Sequence, residues 1–150
     1  VVLTRGRARA NGGVRQISWP DGDDWRRAID GADGVVNMAG AGIADRRWSA
    51  ARKEGLRQSR ITSTRLLVGA MRDAETRPKV FLSGSAGGFY GPQPTDGPPL
   101  DESAPPGSDF MSTLAVDWEA EAHAASALGL RVVILRTGIV LDRRGGALQK

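Results

Sequence analysis

The feature that most constrains the fold of this chain is a series of short segments that are apolar at consecutive positions and rich in β-branched residues. Residues 35–39 (VVNMA), 79–82 (KVFL) and 131–135 (RVVIL) have this pattern. It is typical of strands that are buried on both faces, as in parallel sheets, whereas a strand with one solvated face alternates polar and apolar residues. Residues 1–4 predict the end of a further strand, and residues 14–19 predict a short strand near a sheet edge.

Amphipathic segments lie between these candidate strands. Residues 24–29 predict a short helix, and residues 49–71 and 112–128 predict long helices with apolar residues on one face at helical spacing. Ser49 can cap the start of the second helix, and Gly129 occupies the usual place of a glycine after the last turn of the third. The order of strand, helix and strand requires right-handed crossovers, which predicts an α/β protein with a doubly wound parallel sheet.

Size and composition narrow the range of functions. A chain of 150 residues with no repeat and no linker predicts a single domain. The absence of Cys and the presence of one His exclude disulfides, thiol nucleophiles and a multi-histidine metal site, so we predict no metal. No apolar run is long enough to cross a bilayer, so we expect no membrane partner and a cytoplasmic protein. The sequence leaves the oligomeric state open.

The chain is basic, which raises nucleic acid as a possible partner. It has 21 Lys and Arg against 17 Asp and Glu, a formal net charge of +4. The basic residues are dispersed over presumed helices and loops, however, and they do not cluster with aromatic side chains. We therefore expect a small-molecule ligand and no nucleic acid.

A proline-rich segment, residues 90–107, interrupts the alternation of strands and helices. It can form neither a helix nor a central strand. The segment leaves the carboxyl end of a candidate strand, which is where open α/β sheets bind ligands, and long loops of this kind tend to be functional.

Two strand ends carry groups suited to a dinucleotide. Thr4-Arg5 follows the first candidate strand, at a place where an Arg accommodates the 2′-phosphate of NADP and an acidic residue favours NAD. An Arg-rich chain also has an Arg after many of its strands, so position alone leaves both interpretations open. Residues 40–45 (GAGIAD) superficially match G-x-G-x-x-G, but Asp45 replaces the third glycine and no acidic residue lies at the distance expected for a ribose contact. We predict that this loop lies beside a cofactor and is not the first phosphate loop.

Two further strand ends combine hydroxyl groups, an Arg and small residues. In residues 81–91 (FLSGSAGGFYG), Ser85 and Tyr90 offer hydroxyl groups, and the glycines let a ligand approach the backbone closely. An ordinary Gly/Ser turn is the alternative interpretation. In residues 135–139 (LRTGI), Arg136 ends a candidate strand and would lie at the rim of a cofactor or substrate site.

Together these segments resemble the extended short-chain dehydrogenase/reductases, and among them the cell-division-inhibitor-like, epimerase-like oxidoreductases of the NAD-dependent epimerase/dehydratase family. The matching stretches are residues 36–43 with 46–48, 59–60 with 64–67, 83–91, 108–110 with 117–119, and 135–140. The resemblance implies a Rossmann-type domain, NADP or alternatively NAD as cofactor, and a carbonyl, sugar or nucleotide-sugar substrate. The implied cofactor contacts are Thr4, Arg5, Asn37, Met38, Ala39, Gly40, Ser83, Arg136, Thr137 and Gly138. Ser85, which matches the active-site hydroxyl of the family, and Tyr90 form the candidate catalytic set.

The chain departs from the family pattern in two respects. Family members carry a Tyr-x-x-x-Lys pair on the helix after the long loop, whereas Met111 and Ala115 occupy those positions here and cannot move a proton. A dinucleotide-binding or regulatory module without turnover is therefore the alternative function. Members also begin with a strand and a G-x-x-G-x-x-G loop that these residues lack, so we expect residues 1–150 to be the central part of one Rossmann domain, without a second domain. Such a piece should bind NAD(P) poorly by itself.

Overall fold

The computed structural model describes residues 1–5, 13–20, 22–143 and 145–146. Its strands are β1 (Val2–Thr4), β2 (Gln16–Ser18), β3 (Gly34–Asn37), β4 (Val80–Ala86), β5 (Arg131–Thr137), β6 (Leu141–Asp142) and β7 (Gly145–Gly146). Its helices are α1 (Asp24–Arg27), α2 (Ala50–Asp73) and α3 (Phe110–His123), with 3₁₀ turns at Gly87–Tyr90 and Ala124–Leu128. Every strand and helix predicted from the sequence is present with altered ends, and the β6–β7 hairpin is an addition.

The strands form two parallel sheets that meet at a cleft. β1 pairs with β2, and β3, β4 and β5 pair in that order. Residues of β1 and β3 line opposite sides of the cleft. From there the chain moves outward in two directions, to β2 on one side and to β4 and β5 on the other. This is the strand order of a doubly wound sheet, which reverses direction between β1 and β3, and it confirms the predicted fold class.

The observed strand ends correct three predicted ones. β3 stops at Asn37, whereas β4 continues to Ala86 and β5 to Thr137. Gly and Ser disfavour strands, but parallel pairing along the whole of β4 and β5 outweighs this local preference. Ser83 and Ser85 consequently lie inside β4 and not in the turn after it.

Capping interactions set the ends of the long helices. Ser49 Oγ accepts a hydrogen bond from the Arg52 N–H at 3.2 Å, as predicted. Asp109 accepts one from the Ser112 N–H at 2.8 Å, so α3 begins earlier than the sequence pattern indicated. Gly129, with φ of 83°, takes the left-handed conformation that ends the last turn.

One apolar core supports both sheets. Ile17 of β2 and Trp25 of α1 belong to the same buried cluster as Met71 of α2, Phe81 of β4 and Ala122 of α3. Complete burial of a side chain such as Phe81 contributes about 1.5–3 kcal/mol relative to exposure. The shared core therefore holds the two sheets in place on either side of the cleft.

Candidate functional site

The cleft between the facing edges of β1 and β3 has a volume of about 790 Å³. Its apolar part is lined by Val2 and Val36, from the facing strand edges. Within the described residues, each of these strands pairs with another strand on one side only. Its polar part lies where the strands end and brings together the predicted residues Thr4, Arg5, Asn37, Met38, Ala39 and Gly40.

Asn37 fixes the main chain at the polar part of the cleft. Its amide nitrogen donates to Thr64 Oγ1 at 2.9 Å, and its amide oxygen accepts from the Ala39 N–H at 3.1 Å. Trp118 Nε1 donates to the same Thr64 hydroxyl at 2.9 Å. Because Asn37 is only 2% exposed and its side chain bonds within the protein, it shapes the loop after β3 through these contacts.

A second polar cluster joins β4, α3 and β5. Ser85 Oγ donates to Glu119 Oε1 at 2.5 Å, and Arg136 donates to both oxygens of Glu119 at 2.9 Å each. Arg136 also donates to the Tyr90 hydroxyl at 2.9 Å and lies 3.5 Å from the centroid of the Phe89 ring. The structure thus brings the predicted residues Ser85, Tyr90 and Arg136 together around Glu119. None of them lines the cleft.

Glu119 is a buried carboxylate. Its side chain is 7% exposed, and that of Arg136 is 19% exposed. Burial raises the pKa of Glu119, but the hydrogen bonds from Arg136 and Ser85 and the charge of Arg136 outweigh it, so the pKa lies below its ordinary value of 4.5. The bidentate contact with Glu119 in turn raises the pKa of Arg136. The Ser85 hydroxyl donates its hydrogen bond to this carboxylate, so it can offer a ligand only oxygen lone pairs.

The remaining predicted residues near this cluster are occupied differently. Ser83 is fully buried, and its hydroxyl donates to the Gly84 carbonyl at 3.3 Å. Thr137 Oγ1 donates to the Ser85 carbonyl at 3.2 Å, and a side chain added at Gly138 would meet open space. Ser83 and Thr137 therefore act within the sheet, while Gly138 lies at an open edge.

Met111 and Ala115 occupy the two positions where the family has Tyr and Lys, and both pack against neighbouring residues. Met111 Cβ would lie 3.3 Å from a side chain added at Gly88, and Ala115 is 2% exposed. Tyr90, in the neighbouring 3₁₀ turn, is the phenol of this region. Its oxygen accepts from Arg136, and no acceptor for its O–H lies among the described residues. Tyr90 can thus donate to a ligand oxygen.

The proline-rich segment contributes to this cluster through its backbone. After Tyr90, which ends the 3₁₀ turn, it forms neither helix nor strand, as predicted, and its Glu102 carbonyl accepts a hydrogen bond from Arg136 at 3.1 Å. Arg136 therefore links the segment to the carboxyl end of β5.

Sequence reasoning missed Glu119 as the centre of the cluster and missed Arg60 beside the cleft. Arg60 is 8% exposed, and its Cζ would lie 3.0 Å from a side chain added at Gly40. The available signals were the acid that follows Trp118 on α3 and the Arg that follows Ser59 on α2. Both residues had been noted as family motifs but not given roles.

The described residues lack both a membrane-spanning helix and a cluster of metal-binding side chains. None of the helices in this part of the chain is both long enough and apolar enough to span a membrane. Likewise, residues 1–5, 13–20, 22–143 and 145–146 contain no group of three or more His, Cys, Asp or Glu side chains placed to hold a metal ion.

Parallel strands that proceed outward in two directions, with helices between them, define a protein of the Rossmann type. The sequence model of the NAD dependent epimerase/dehydratase family matches residues 1–142, and the chain belongs to this family. Epimerase family protein MT2273 of Mycobacterium tuberculosis is 40% identical over 144 residues, which is 95% of this chain and 46% of the relative. The chloroplastic SDR39U1 homolog of Arabidopsis thaliana is 34% identical over 98% of this chain and 43% of its own length.

Solved structures agree with this assignment. The crystal structure of human epimerase family protein SDR39U1 (isoform 2) with NADPH superimposes with a TM-score of 0.77 at 30% identity, over 98% of this chain and 48% of the human one. A nucleoside-diphosphate sugar epimerase from Corynebacterium glutamicum gives a TM-score of 0.68 at 35% identity, over 83% of this chain and 25% of the other. The chain therefore spans less than half the length of the relatives it matches.

Proposed function

We propose that the whole protein is an NADP(H)-dependent oxidoreductase or epimerase, and that this chain supplies part of its cofactor site. The observation that carries the proposal is the grouping of Thr4, Arg5 and residues 37–40 at the carboxyl ends of β1 and β3. Arg5 offers a cation for a 2′-phosphate, and the small residues Ala39 and Gly40 leave room for a ligand beside the backbone. These residues fit a dinucleotide. The human relative with NADPH supports the choice of NADP over NAD.

The second cluster is the proposed substrate side. Tyr90 would donate its O–H to a substrate oxygen, and Ser85 would accept from a substrate hydroxyl or orient it. Glu119 and Arg136 hold both side chains in position, because Arg136 bonds to Tyr90 while Glu119 bonds to Ser85. Bound NADPH would supply the hydride. Arg136, Thr137 and Gly138 form the rim of the site at the end of β5.

The substrate is proposed to be a small carbonyl, sugar or nucleotide-sugar compound. We further propose that the protein is cytoplasmic and that its ligands include neither nucleic acid nor a membrane. The substrate class rests on the family assignment and on hydroxyl groups that can bond to a carbonyl or sugar oxygen.

A binding or regulatory module without turnover is the second candidate. The observation that favours it is the packing of Met111 and Ala115 at the positions of the family's proton-transfer pair. In this interpretation the dinucleotide is bound and released unchanged.

Oxidation of NADPH by the whole protein against a panel of aldehydes, ketones and keto-sugars distinguishes the two candidates. Turnover that falls at least tenfold in Tyr90→Phe, with NADPH affinity unchanged, supports the oxidoreductase. NADPH binding without turnover on any compound supports the binding module. A protein that binds neither NADPH nor NADH contradicts both.

A further inference from the structure

Two Arg side chains of α2 hold the loop that follows β3. Arg52 donates to the carbonyl of Gly42, and Arg60 donates to the carbonyl of Ala41 at 3.1 Å. The two residues lie roughly 12 Å apart along the helix axis at about 1.5 Å per residue, yet they reach consecutive carbonyls. Two positive charges therefore converge on one short piece of chain at the carboxyl end of β3.

Arg60 is buried among neutral partners. It is 8% exposed, and its acceptors are the carbonyls of Leu56 and Ala41 and the hydroxyl of Ser59. No carboxylate among the described residues forms an ion pair with it. Buried charges in proteins are normally paired, because an unpaired one loses hydration without compensation.

Arg136 shows how the same fold treats a guanidinium whose role is structural. At the carboxyl end of β5, it is neutralised by both oxygens of Glu119. Arg60 has no such partner in the described part of the chain. Burial lowers its pKa, and repulsion from Arg52 acts in the same direction. The described residues therefore give Arg60 no carboxylate partner, and the ring of Trp118, 5.3 Å from its Cζ, offsets the charge only in part.

Arg52 has unused hydrogen-bonding capacity in the same place. Its Nε is buried and has no hydrogen-bond partner. Its Nη2 lies 4.0 Å from the carboxylate of Asp45, whose side chain is 52% exposed. This distance is at the limit for an ion pair and Asp45 is half exposed, so Asp45 neutralises the Arg52 guanidinium only in part.

The loop that both guanidinium groups contact begins at the cleft, although neither Arg52 nor Arg60 lines the cleft itself. Gly40 is part of the cleft lining, and a Cβ added there would lie 3.0–3.3 Å from the guanidinium atoms of Arg60. Arg60 consequently lies directly behind the wall of the cleft, and a side chain at position 40 would require it to shift by a few tenths of an ångström. A ligand beside Gly40 comes within reach of its charge.

We propose that Arg60 and Arg52 form a subsite for an oxyanion, a phosphate or carboxylate group, at the loop 40–45 end of the cleft. The guanidinium groups supply the planar N–H donors that such groups accept, and the anion supplies the missing counter-charge. The subsite deepens the proposed function by naming the chemistry of the ligand in the same cleft. Two sources share that chemistry: the phosphates of a dinucleotide and an acid group on the substrate.

Calorimetric titration at fixed ionic strength tests the proposal on the whole protein. Inorganic pyrophosphate, succinate and NADPH are each titrated into the wild type and into Arg60→Gln, Arg52→Gln and Arg72→Gln. The last variant is the matched control, since Arg72 makes the same charge change on an exposed part of α2 and pairs with Asp73. We expect at least one of the two small anions to bind at least tenfold more weakly to Arg60→Gln and severalfold more weakly to Arg52→Gln, with Arg72→Gln within twofold of wild type. Circular dichroism checks folding, and Arg52→Gln carries the test if Arg60→Gln does not fold.

The NADPH titration identifies the source. A parallel loss of NADPH and pyrophosphate affinity assigns the subsite to the dinucleotide, whereas unchanged NADPH affinity assigns it to an acid group of the substrate. NADPH binding that persists while neither small anion responds to Arg52 or Arg60 overturns this proposal and leaves the proposed function standing. Equal losses in Arg72→Gln also overturn it, because diffuse charge then explains the binding. A third outcome is that the protein does not bind NADPH but binds pyrophosphate or succinate in a way that depends on Arg60. This outcome supports the subsite and contradicts the proposed function.

Discussion

Replacement of Glu119 by Ala tests whether its carboxylate organises the second cluster. The carboxylate accepts one hydrogen bond from Ser85 and two from Arg136, and it is the only counter-charge that the described residues give Arg136. Removing one partner of a buried ion pair costs about 3–5 kcal/mol. Arg136 keeps two neutral acceptors and is 19% exposed, so water can hydrate it in part. We therefore expect a loss near the lower end, about 3 kcal/mol.

Thermal unfolding followed by circular dichroism measures this loss. For a chain of this size, about 3 kcal/mol corresponds to a fall of roughly 6–12 °C in the unfolding midpoint. Glu121→Ala is the matched control, because Glu121 lies on the same helix and pairs with Arg65, whose side chain is 65% exposed. An exposed pair of this kind contributes about 0–1 kcal/mol.

A double-mutant cycle with Arg136→Ala separates the pair from the two individual side chains. Removing both side chains leaves no unpaired charge, so the double variant should lose less stability than the sum of the single variants. The reasoning is refuted if Glu119→Ala is no more destabilising than Glu121→Ala, or if the two single losses add.

Three further predictions follow from the same structure. Because the pKa of Glu119 is lowered in the folded state, its contribution to stability is present above pH 4.5, the ordinary value, and is lost as the pH falls below it; urea unfolding from pH 7 to pH 3 should show this loss in the wild type and a smaller one in Glu119→Gln. Gly55→Ala should raise the free energy of unfolding by about 0.5–1 kcal/mol, since Gly55 lies within α2 and an added Cβ meets nothing within 4 Å; an unchanged or lower melting temperature contradicts this. The 150-residue chain alone should bind NADPH with a dissociation constant of about 1 mM or weaker, because its residues include no G-x-x-G-x-x-G loop; micromolar binding by calorimetry would place the phosphate contacts within the chain, most plainly at residues 40–45.

The sequence was sufficient to predict the order and type of the elements because their signals are local. Consecutive apolar residues mark β3, β4 and β5, and helical periodicity marks α2 and α3. The ends of β4 and β5 could not be predicted in this way. They depend on pairing between segments some 50 residues apart, which holds Gly84 and Ser85 in a strand despite their poor strand preference.

The residues of the candidate site likewise fall into a group that the sequence could predict and a group that it could not. Residues at strand ends were predicted because parallel strands bring their carboxyl ends to one edge, which places Arg5 near Gly40. The contact between Ser85 and Glu119 joins residues 34 positions apart, and no local sequence pattern predicts that these two side chains meet. The burial of Arg60 depends on how α2 packs against the loop after β3, so the match of residues 59–60 to the family pattern could not indicate it. The functional roles of all these residues stay predictions.

The most direct test of the proposed cofactor site is the affinity of the whole protein for NADPH and NADH before and after Arg5→Ala. Arg5 lines the cleft at the end of β1, where a 2′-phosphate would lie. The loss of one charge-assisted hydrogen bond should weaken NADPH binding by about 1–3 kcal/mol and leave NADH binding nearly unchanged. Equal losses for both cofactors, or no loss for either, would show that Arg5 does not contact the 2′-phosphate and would contradict this account of the cleft.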